Sequence, residues 1–365
     1  MNELANTLAS MRPVATGTAE QAQKILDQKT KPVSSLGRLE ELACKLCGIY
    51  RTTSPKPLVK AIVVMAADHG IADEGVSAYP QIVTAQMLAN FVRGGAAINV
   101  LAGRADAKVV IADMGTKNPP SLPTVRSHRI GNGTANFRIQ PAMTRLQAVS
   151  AIEAGIRLAN ELIDGGINVI GVGEMGIANT TSASAITAVM LDVPAELVTG
   201  AGTGIDDVRR QHKISVIEQA RQLHRPDRRD PIDVLTKVGG FEIGGLAGVM
   251  LASAARGIPV VLDGFITTAS ALLADGLHSE ARQYFIAAHQ STEPGHRLAL
   301  EKLGLKPLLD LHLRLGEGTG AALALLLLDA ALAVLFEMAS FDEAGVSRGV
   351  ACRHALFSAS QRSMS

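Results

Sequence analysis

Two glutamates in this 365-residue chain sit in glycine frames, and at Glu317 glycines on both sides leave the carboxylate unobstructed by neighbouring side chains. The first is Glu174, within Gly171-Val-Gly-Glu-Met-Gly-Ile-Ala-Asn-Thr-Thr-Ser182, and the second is Glu317, within Leu313-Arg-Leu-Gly-Glu-Gly-Thr-Gly-Ala321. Apolar surroundings raise a carboxyl pKa toward that of a useful general base, and Leu313 and Leu315 are expected to supply them for Glu317. Its other reading is a solvated acid ahead of a helix, whose N-terminus favours negative charge. Gly171-x-Gly173-x-x-Gly176 matches the dinucleotide-binding fingerprint letter for letter, and Asp192 stands near the distance of its ribose-binding acid. Against this, Glu174 would repel a pyrophosphate, and the segment lies mid-chain rather than on a first strand. The alternative is a single phosphate held at a helix start by Gly176 and the amides leading into Ala178-Asn179-Thr-Thr-Ser182, with Glu174 facing a cationic or proton-losing group. A purely structural glycine turn is the third reading.

Other clusters narrow the chemistry. Val260-Val-Leu-Asp-Gly-Phe-Ile-Thr-Thr-Ala269 resembles the phosphoribosyl-diphosphate motif of type I phosphoribosyltransferases, but it has one acid, Asp263, followed by Gly264, where that motif has two. A donor with one 5′-phosphate fits better than a metal-bound pyrophosphate. No Gly-x4-Gly-Lys-Ser/Thr loop occurs, which argues against a P-loop kinase. Asp68-His69-Gly70 reads either as an acid/base pair or as a turn whose histidine bonds backbone; no companion His or Cys spacing supports a metal, so none is expected. The stretch from Ala78-Tyr-Pro80 to Gln86-Met87-Leu88 reads as the wall of a flat apolar pocket with one orienting amide, or as ordinary helix packing. Cys44-Lys-Leu-Cys47 lacks the second pair that would complete a zinc site and lies in a helical pattern.

Most of these clusters follow short apolar runs, at 61–66, 109–112, 167–170, 197–198, 259–262 and 284–288. Runs without polar alternation are those of strands buried on both faces, so the fold class is α/β, doubly wound, with a mostly parallel sheet and chemistry at its carboxyl edge. Between them, 144–164 is the best helix: Thr144 and Gln147 form a capping-box pattern, Val149, Ile152, Ile156, Ala159 and Ile163 make a stripe, and Gly165-Gly166 ends it. A second helix, 243–256, opens with glycines that admit a ligand or another element. Ser34 or Ser35 is positioned to cap a helix through 36–46. The expected organisation is a helical segment 1–57, an α/β domain 58–300 and a C-terminal helical segment 301–365, with the two termini forming a smaller lobe.

Composition excludes several partners. A formal net charge of +1 and only 3% aromatic residues remove the footprint of a nucleic-acid binder. No signal peptide is visible at the N-terminus, so the cytoplasm is expected. The apolar stretch 321–335 falls short of the roughly 20 residues of a membrane span and is interrupted by Asp329, so a buried or interface helix is expected.

Taken together, Lys31-Pro-Val-Ser-Ser-Leu-Gly-Arg-Leu-Glu40, Ala67-Asp-His-Gly-Ile-Ala72 with Gly75-Val-Ser77, Gly173-Glu-Met-Gly-Ile-Ala-Asn-Thr-Thr181, Gly239-Gly-Phe-Glu-Ile243, Leu262-Asp-Gly-Phe265 and Gly316-Glu-Gly-Thr-Gly320 resemble the nicotinate-nucleotide:dimethylbenzimidazole phosphoribosyltransferase family of cobamide synthesis. The resemblance runs nearly end to end. It implies a homodimer without cofactor that transfers the 5-phosphoribosyl group of nicotinate mononucleotide to dimethylbenzimidazole. It further implies Glu317 as general base, with Glu174 as a secondary base or electrostatic partner. Gly176, Asn179, Lys213 and Ser291 are implied at the 5′-phosphate, and Gly202, Asp263 and Gly264 near the ribose. Pro80, Gln86, Leu88, Met175 and Leu315 are implied around the base. A nicotinamide-dinucleotide oxidoreductase using Gly171 to Gly176, and a non-catalytic nucleotide or azole binder, are the competing readings.

Overall fold

The computed structural model of the chain describes residues 3–202 and 204–347; the end of the C-terminal segment, 348–365, lies outside the described residues. Six strands form one parallel sheet: β1 (Lys60–Ala67), β2 (Ala107–Gly115), β3 (Arg126–Ser127), β4 (Val169–Met175), β5 (Val260–Leu262) and β6 (Phe285–Ala287), in the order β3-β2-β1-β4-β5-β6. The chain builds outward from β1 in one direction, then returns to its other side with β4. Connections leaving β1 and β4 therefore diverge, and a crevice opens at their carboxyl ends, the place where doubly wound sheets bind ligands. Every residue of β1 is buried, as a strand covered on both faces requires.

Five of the six apolar runs are strands. The run at 197–198 is not: Ala195–Leu197 is a single 3-10 turn following Pro194, and Leu197 is exposed. Two apolar residues beside a proline offer no ladder to a neighbouring strand. The sixth strand is the exposed pair Arg126–Ser127, which has no apolar run to announce it. The strand expected at 167–170 lies further on, and β4 includes Gly171 and Gly173 themselves.

Helices cover both faces. On one, Arg145–Asp164, Asn179–Leu191, Phe241–Ala255 and Phe265–Leu277 enclose the larger core. Thr144 Oγ1 accepts from the Gln147 amide at 3.2 Å and Gln147 Oε1 accepts from the Thr144 amide at 2.9 Å, completing the capping box. The face that this helix buries is Ala148, Ala151, Ile152, Gly155, Ile156, Ala159 and Leu162, while Val149 and Ile163 lie at its margin. A Cβ on Gly155 would collide with the Gly245 carbonyl, and one on Gly248 with that of Ile152. Gly248 thus serves contact between the two helices, while Gly244 makes room for Leu235 and Gly245 for Met65 and Met114.

On the other face, Thr16–Leu26, Arg38–Tyr50, Val83–Arg93, Ala97–Arg104 and Thr319–Glu337 surround a second core. The helices Thr16–Leu26 and Arg38–Tyr50 pack on each other and on Thr319–Glu337, which also lies against β1, β4 and β5; Glu3–Ala9 packs across the sheet on Arg145–Asp164. Neither Ser34 nor Ser35 caps the Arg38–Tyr50 helix; Gly37, at φ 49°, occupies the cap position, and Glu40 instead accepts from the Leu36 amide and pairs with Lys31 at 2.8 Å. Cys44 and Cys47 lie on this helix, with Cys47 buried in the core. Thr319–Glu337 is long and apolar enough to cross a membrane, yet 56% of its apolar window is buried within the protein, and Asp329 pairs with Lys60 at 2.7 Å.

Candidate active site

Glu317 is delivered by a backbone that few residues adopt. Gly316, Glu317 and Gly318 have φ of 88°, 62° and 89° in succession, and a side chain on Gly318 would press Ile62 at 2.8 Å. The loop lies on β4: a Cβ on Gly173 would collide with the Glu317 carbonyl carbon. Gly173 is therefore a strand residue that admits the loop, and Gly171 one that faces Ile62 and Ala321. They do not form a pyrophosphate turn. Asp192, which the dinucleotide reading needs at the ribose, closes the far end of the Asn179–Leu191 helix and pairs with Arg228 at 3.0 Å.

Asp263, at the end of β5, fixes the loop. Its Oδ1 accepts from the amides of Gly320 at 2.6 Å and Ala321 at 3.2 Å, and its Oδ2 from Gly318 at 3.1 Å. Both oxygens are thus engaged by the start of the Thr319–Glu337 helix, where three amide donors and the helix dipole favour a carboxylate. Burial alone pushes its carboxyl upward, and the amides and His289 oppose that shift.

Glu317 is 6% exposed. Burial raises its pKa, the Ile98 amide, 3.5 Å from Oε2 at the start of Ala97–Arg104, opposes the rise, and Asp263 adds to it. The Glu317 backbone lies against Gly173 of β4, and the adjoining Gly318 against Ile62 of β1. Leu315 is 58% exposed and Leu313 is half-buried. Glu174, near the end of β4, is buried beside the same loop, since a Cβ on Gly316 would collide with its carboxylate. Its pKa is pushed up to about 8, by burial first and then by Asp263, Glu242 and Glu317, against a hydrogen bond donated by Asn179 Nδ2. The site therefore holds one carboxyl that retains its proton near neutral pH beside another whose affinity for a proton is raised.

A second group of residues converges at the start of Asn179–Leu191. Lys213 is fully buried and its Nζ donates to Thr180 Oγ1 at 2.8 Å; burial draws its pKa down to about 8, with Glu293 opposing. Gly202, at φ 53°, lies close enough that a Cβ would stand 2.9 Å from Thr180 Oγ1 and 3.4 Å from Lys213 Nζ. Its amide donates to Glu293 Oε1 at 2.9 Å, and Arg314 donates to its carbonyl at 3.4 Å. Ser291 donates its amide to His296 Nδ1 at 2.9 Å, and its Oγ accepts from Glu293 at 3.3 Å. Burial, then His289, draws the His296 pKa down to about 3. Its imidazole is therefore neutral, and because Nδ1 accepts, Nε2 carries the hydrogen toward Thr268 Oγ1 at 3.0 Å, which itself donates to the Gly264 carbonyl. A Cβ on Gly264 would stand 4.0 Å from the Ser291 Cβ. Gly202, Lys213, Ser291 and Gly264 are thus brought together, with Asn179 one residue from Thr180.

The residues expected around the base are less coherent. Pro80 and Gln86 are exposed, Met175 is half-buried, and Leu88 lies in the core with Phe91. Two residues apart on one helix, Gln86 and Leu88 face in nearly opposite directions and do not share a wall. Thr180, Glu293, His296 and Thr268 were missed. The polar run His289-Gln-Ser-Thr-Glu293 ahead of Pro294 was the available signal for that side. Asp68 accepts from the Lys117 amide at 2.7 Å, and His69 bonds the side chains of Ser182 and Glu242 in place of the backbone expected of a simple turn.

Known proteins match this chain over nearly its whole length. A protein of Desulforamulus reducens named nicotinate-nucleotide--dimethylbenzimidazole phosphoribosyltransferase is 52% identical over 96% of this chain and 100% of its own. One of a Roseiflexus species with the same name is 53% identical over 95% and 99%. The crystal structure of CobT from Thermus thermophilus superposes with a TM-score of 0.87 at 46% identity, covering 91% of this chain and all of the other. The family model described as Phosphoribosyltransferase matches residues 11–346, and the chain belongs to that family, DBI_PRT.

Proposed function

We propose that the chain transfers the 5-phosphoribosyl group of nicotinate mononucleotide to 5,6-dimethylbenzimidazole, giving α-ribazole 5′-phosphate and nicotinate. One observation carries the reading: a three-residue left-handed loop, tied to Asp263, sets the buried Glu317 against β4 beside Glu174. One ring nitrogen of the acceptor attacks C1′ while the C1′–N bond to nicotinate breaks, its electron pair neutralising the cationic pyridinium nitrogen. The other ring nitrogen then holds an acidic N–H, and Glu317 takes that proton. Attack opposite the leaving group inverts C1′ and accounts for an α-linked product. No step requires a metal or a redox cofactor.

Glu174 is protonated near neutral pH, with a pKa of about 8. A cationic nicotinate nucleotide lowers that value on binding, so Glu174 becomes the negative partner of the charge developing at C1′. Lys213, Gly176, Asn179 and Ser291 form the proposed phosphate end with Gly202 and Gly264 toward the ribose, a reading supported by the meeting of Lys213 and Gly202 at Thr180. Asp263 acts by holding the base loop. Pro80, Gln86, Met175 and Leu315 remain the surface-facing candidates for the acceptor side. The working form is a homodimer in the cytoplasm. Leu326 and Phe336, exposed on the otherwise largely buried Thr319–Glu337 helix, support a partner surface, and a one-chain mass by light scattering would remove it.

The test is to incubate purified protein with nicotinate mononucleotide and dimethylbenzimidazole and follow both products by chromatography. Stoichiometric nicotinate and a new nucleotide are expected. Neither product, with other benzimidazoles equally inert, overturns the reading.

A further inference from the structure

Two motifs of the sequence, Asp68-His69-Gly70 and Gly239-Gly-Phe-Glu-Ile243, have no assigned role above beyond the part of Glu242 in raising the Glu174 pKa, yet they meet. His69, just beyond β1, and Glu242, in the first turn of Phe241–Ala255, are both fully buried, and His69 Nε2 lies 2.7 Å from Glu242 Oε1. The other ring nitrogen lies 3.0 Å from Ser182 Oγ, which donates to the Gly239 carbonyl at 3.4 Å. Glu242 Oε2 is buried without a hydrogen-bond partner among the described residues.

Two glycines make room for the ring. A Cβ on Gly240 would collide with His69 Cε1, and one on Gly176 would stand 3.3 Å from both Cδ2 and Nε2. The imidazole is slotted between the turn after β4 and the start of Phe241–Ala255, while its hydrogen bond holds the first turn of Asn179–Leu191. A buried, hydrogen-bonded polar pair adds little net stability over apolar groups of the same shape. It does supply direction: two bonds from one planar ring fix Ser182 and Glu242 relative to Gly176.

We propose that His69, oriented by Ser182 and Glu242, is a positioning residue that sets the Gly176 turn and the first turn of Asn179–Leu191 at the spacing that receives the donor's 5′-phosphate. This rests on the phosphate end proposed above. The ring makes no hydrogen bond to Glu317 or to Asp263, which holds the base loop. The arrangement therefore acts on donor capture and leaves the proton-transfer step intact.

The experiment compares His69→Leu, His69→Gln and Glu242→Gln with the wild type, and uses Lys213→Met as a reference. It measures kcat, KM for each substrate, and competitive inhibition by inorganic phosphate. His69→Leu is expected to raise KM for nicotinate mononucleotide and the phosphate inhibition constant about tenfold or more, corresponding to the loss of one or two buried hydrogen bonds. KM for dimethylbenzimidazole and kcat should stay within about threefold. His69→Gln, which keeps one donor, should recover part of the loss. Equal damage to both substrates, a fall in kcat alone, or wild-type kinetics in His69→Gln and Glu242→Gln would overturn the proposal, and those two variants decide it if His69→Leu does not fold. If Lys213→Met leaves the donor KM and phosphate inhibition unchanged, the phosphate end itself is misplaced. If Lys213→Met raises them and the His69 and Glu242 variants do not, only the role of His69 fails.

Discussion

Two buried carboxyls with different proton affinities define the chemistry at the scale of single residues. Glu317→Gln keeps the shape and removes the base, so kcat is expected to fall by about 10²–10⁴-fold with little change in either KM; full turnover would remove Glu317 from the mechanism. Because burial raises its pKa, kcat/KM in the wild type should decline as pH falls through a value above the ordinary 4.5 of a glutamate. Glu174 makes a separate prediction about stability. Its folded pKa of about 8 exceeds the ordinary 4.5, so the folded state binds the proton more tightly than the unfolded chain. The stabilisation from that proton is complete below about 4.5 and is lost as pH rises through about 8. Glu174→Gln cannot titrate, and its melting temperature relative to the wild type should climb between those limits; parallel curves would refute the raised pKa. Both glutamates were legible because each stands among glycines, Glu317 between two of them and Glu174 directly after Gly173. Of the two leucines expected to bury Glu317, Leu315 is largely exposed, whereas the Ile98 amide that faces its carboxylate comes from a helix start 219 residues away in sequence.

At the scale of elements, a strand end and a helix start cooperate. Asp263 holds three amides at 2.6–3.2 Å, the furthest of them 58 residues ahead in the chain. Asp263→Asn keeps the size and replaces one acceptor by a donor that faces amide donors. The lost charge-assisted hydrogen bond is worth about 1.5–3 kcal/mol, so melting should drop by roughly 2–6 °C. Turnover should drop as well, since the loop that orients Glu317 loosens; unchanged kcat would show that the loop is set by β4 alone. In sequence, Asp263-Gly264 carried a nucleotide-motif resemblance that drew attention to the ribose, and nothing local revealed that its partners lie past residue 317. The helix 144–164 was readable in full because its cap, stripe and stop are local. The strand Arg126–Ser127 was not, because two exposed polar residues acquire their extended form from β2 beside them.

For the whole molecule, the strand order puts the long strands at the centre, with β1 buried throughout, and short ones toward the rim. Amides of β1 from Ile62 to Met65 should exchange with solvent only through global unfolding, and those of Arg126 and Ser127 many orders of magnitude faster. Measurable sub-global exchange in β1 would mean that the two cores unfold separately. Parallel topology was legible because every run lacked polar alternation, and the placement of chemistry at one sheet edge followed from it. How the terminal helices divide between the two faces was not readable, since Glu3–Ala9 and Thr16–Leu26 have similar local character and go to opposite sides.

The route by which Glu317 reaches β4 has a consequence for how the protein is made. A chain emerging from the ribosome has completed all six strands, Lys213 and Ser291 before the loop at 316–318 is synthesised. A nascent chain folded to that point carries the residues proposed to grip the donor and lacks the group proposed to take the proton. Catalysis in this order of assembly begins only after the sheet is built, and the Thr319–Glu337 helix arrives with the base at its head.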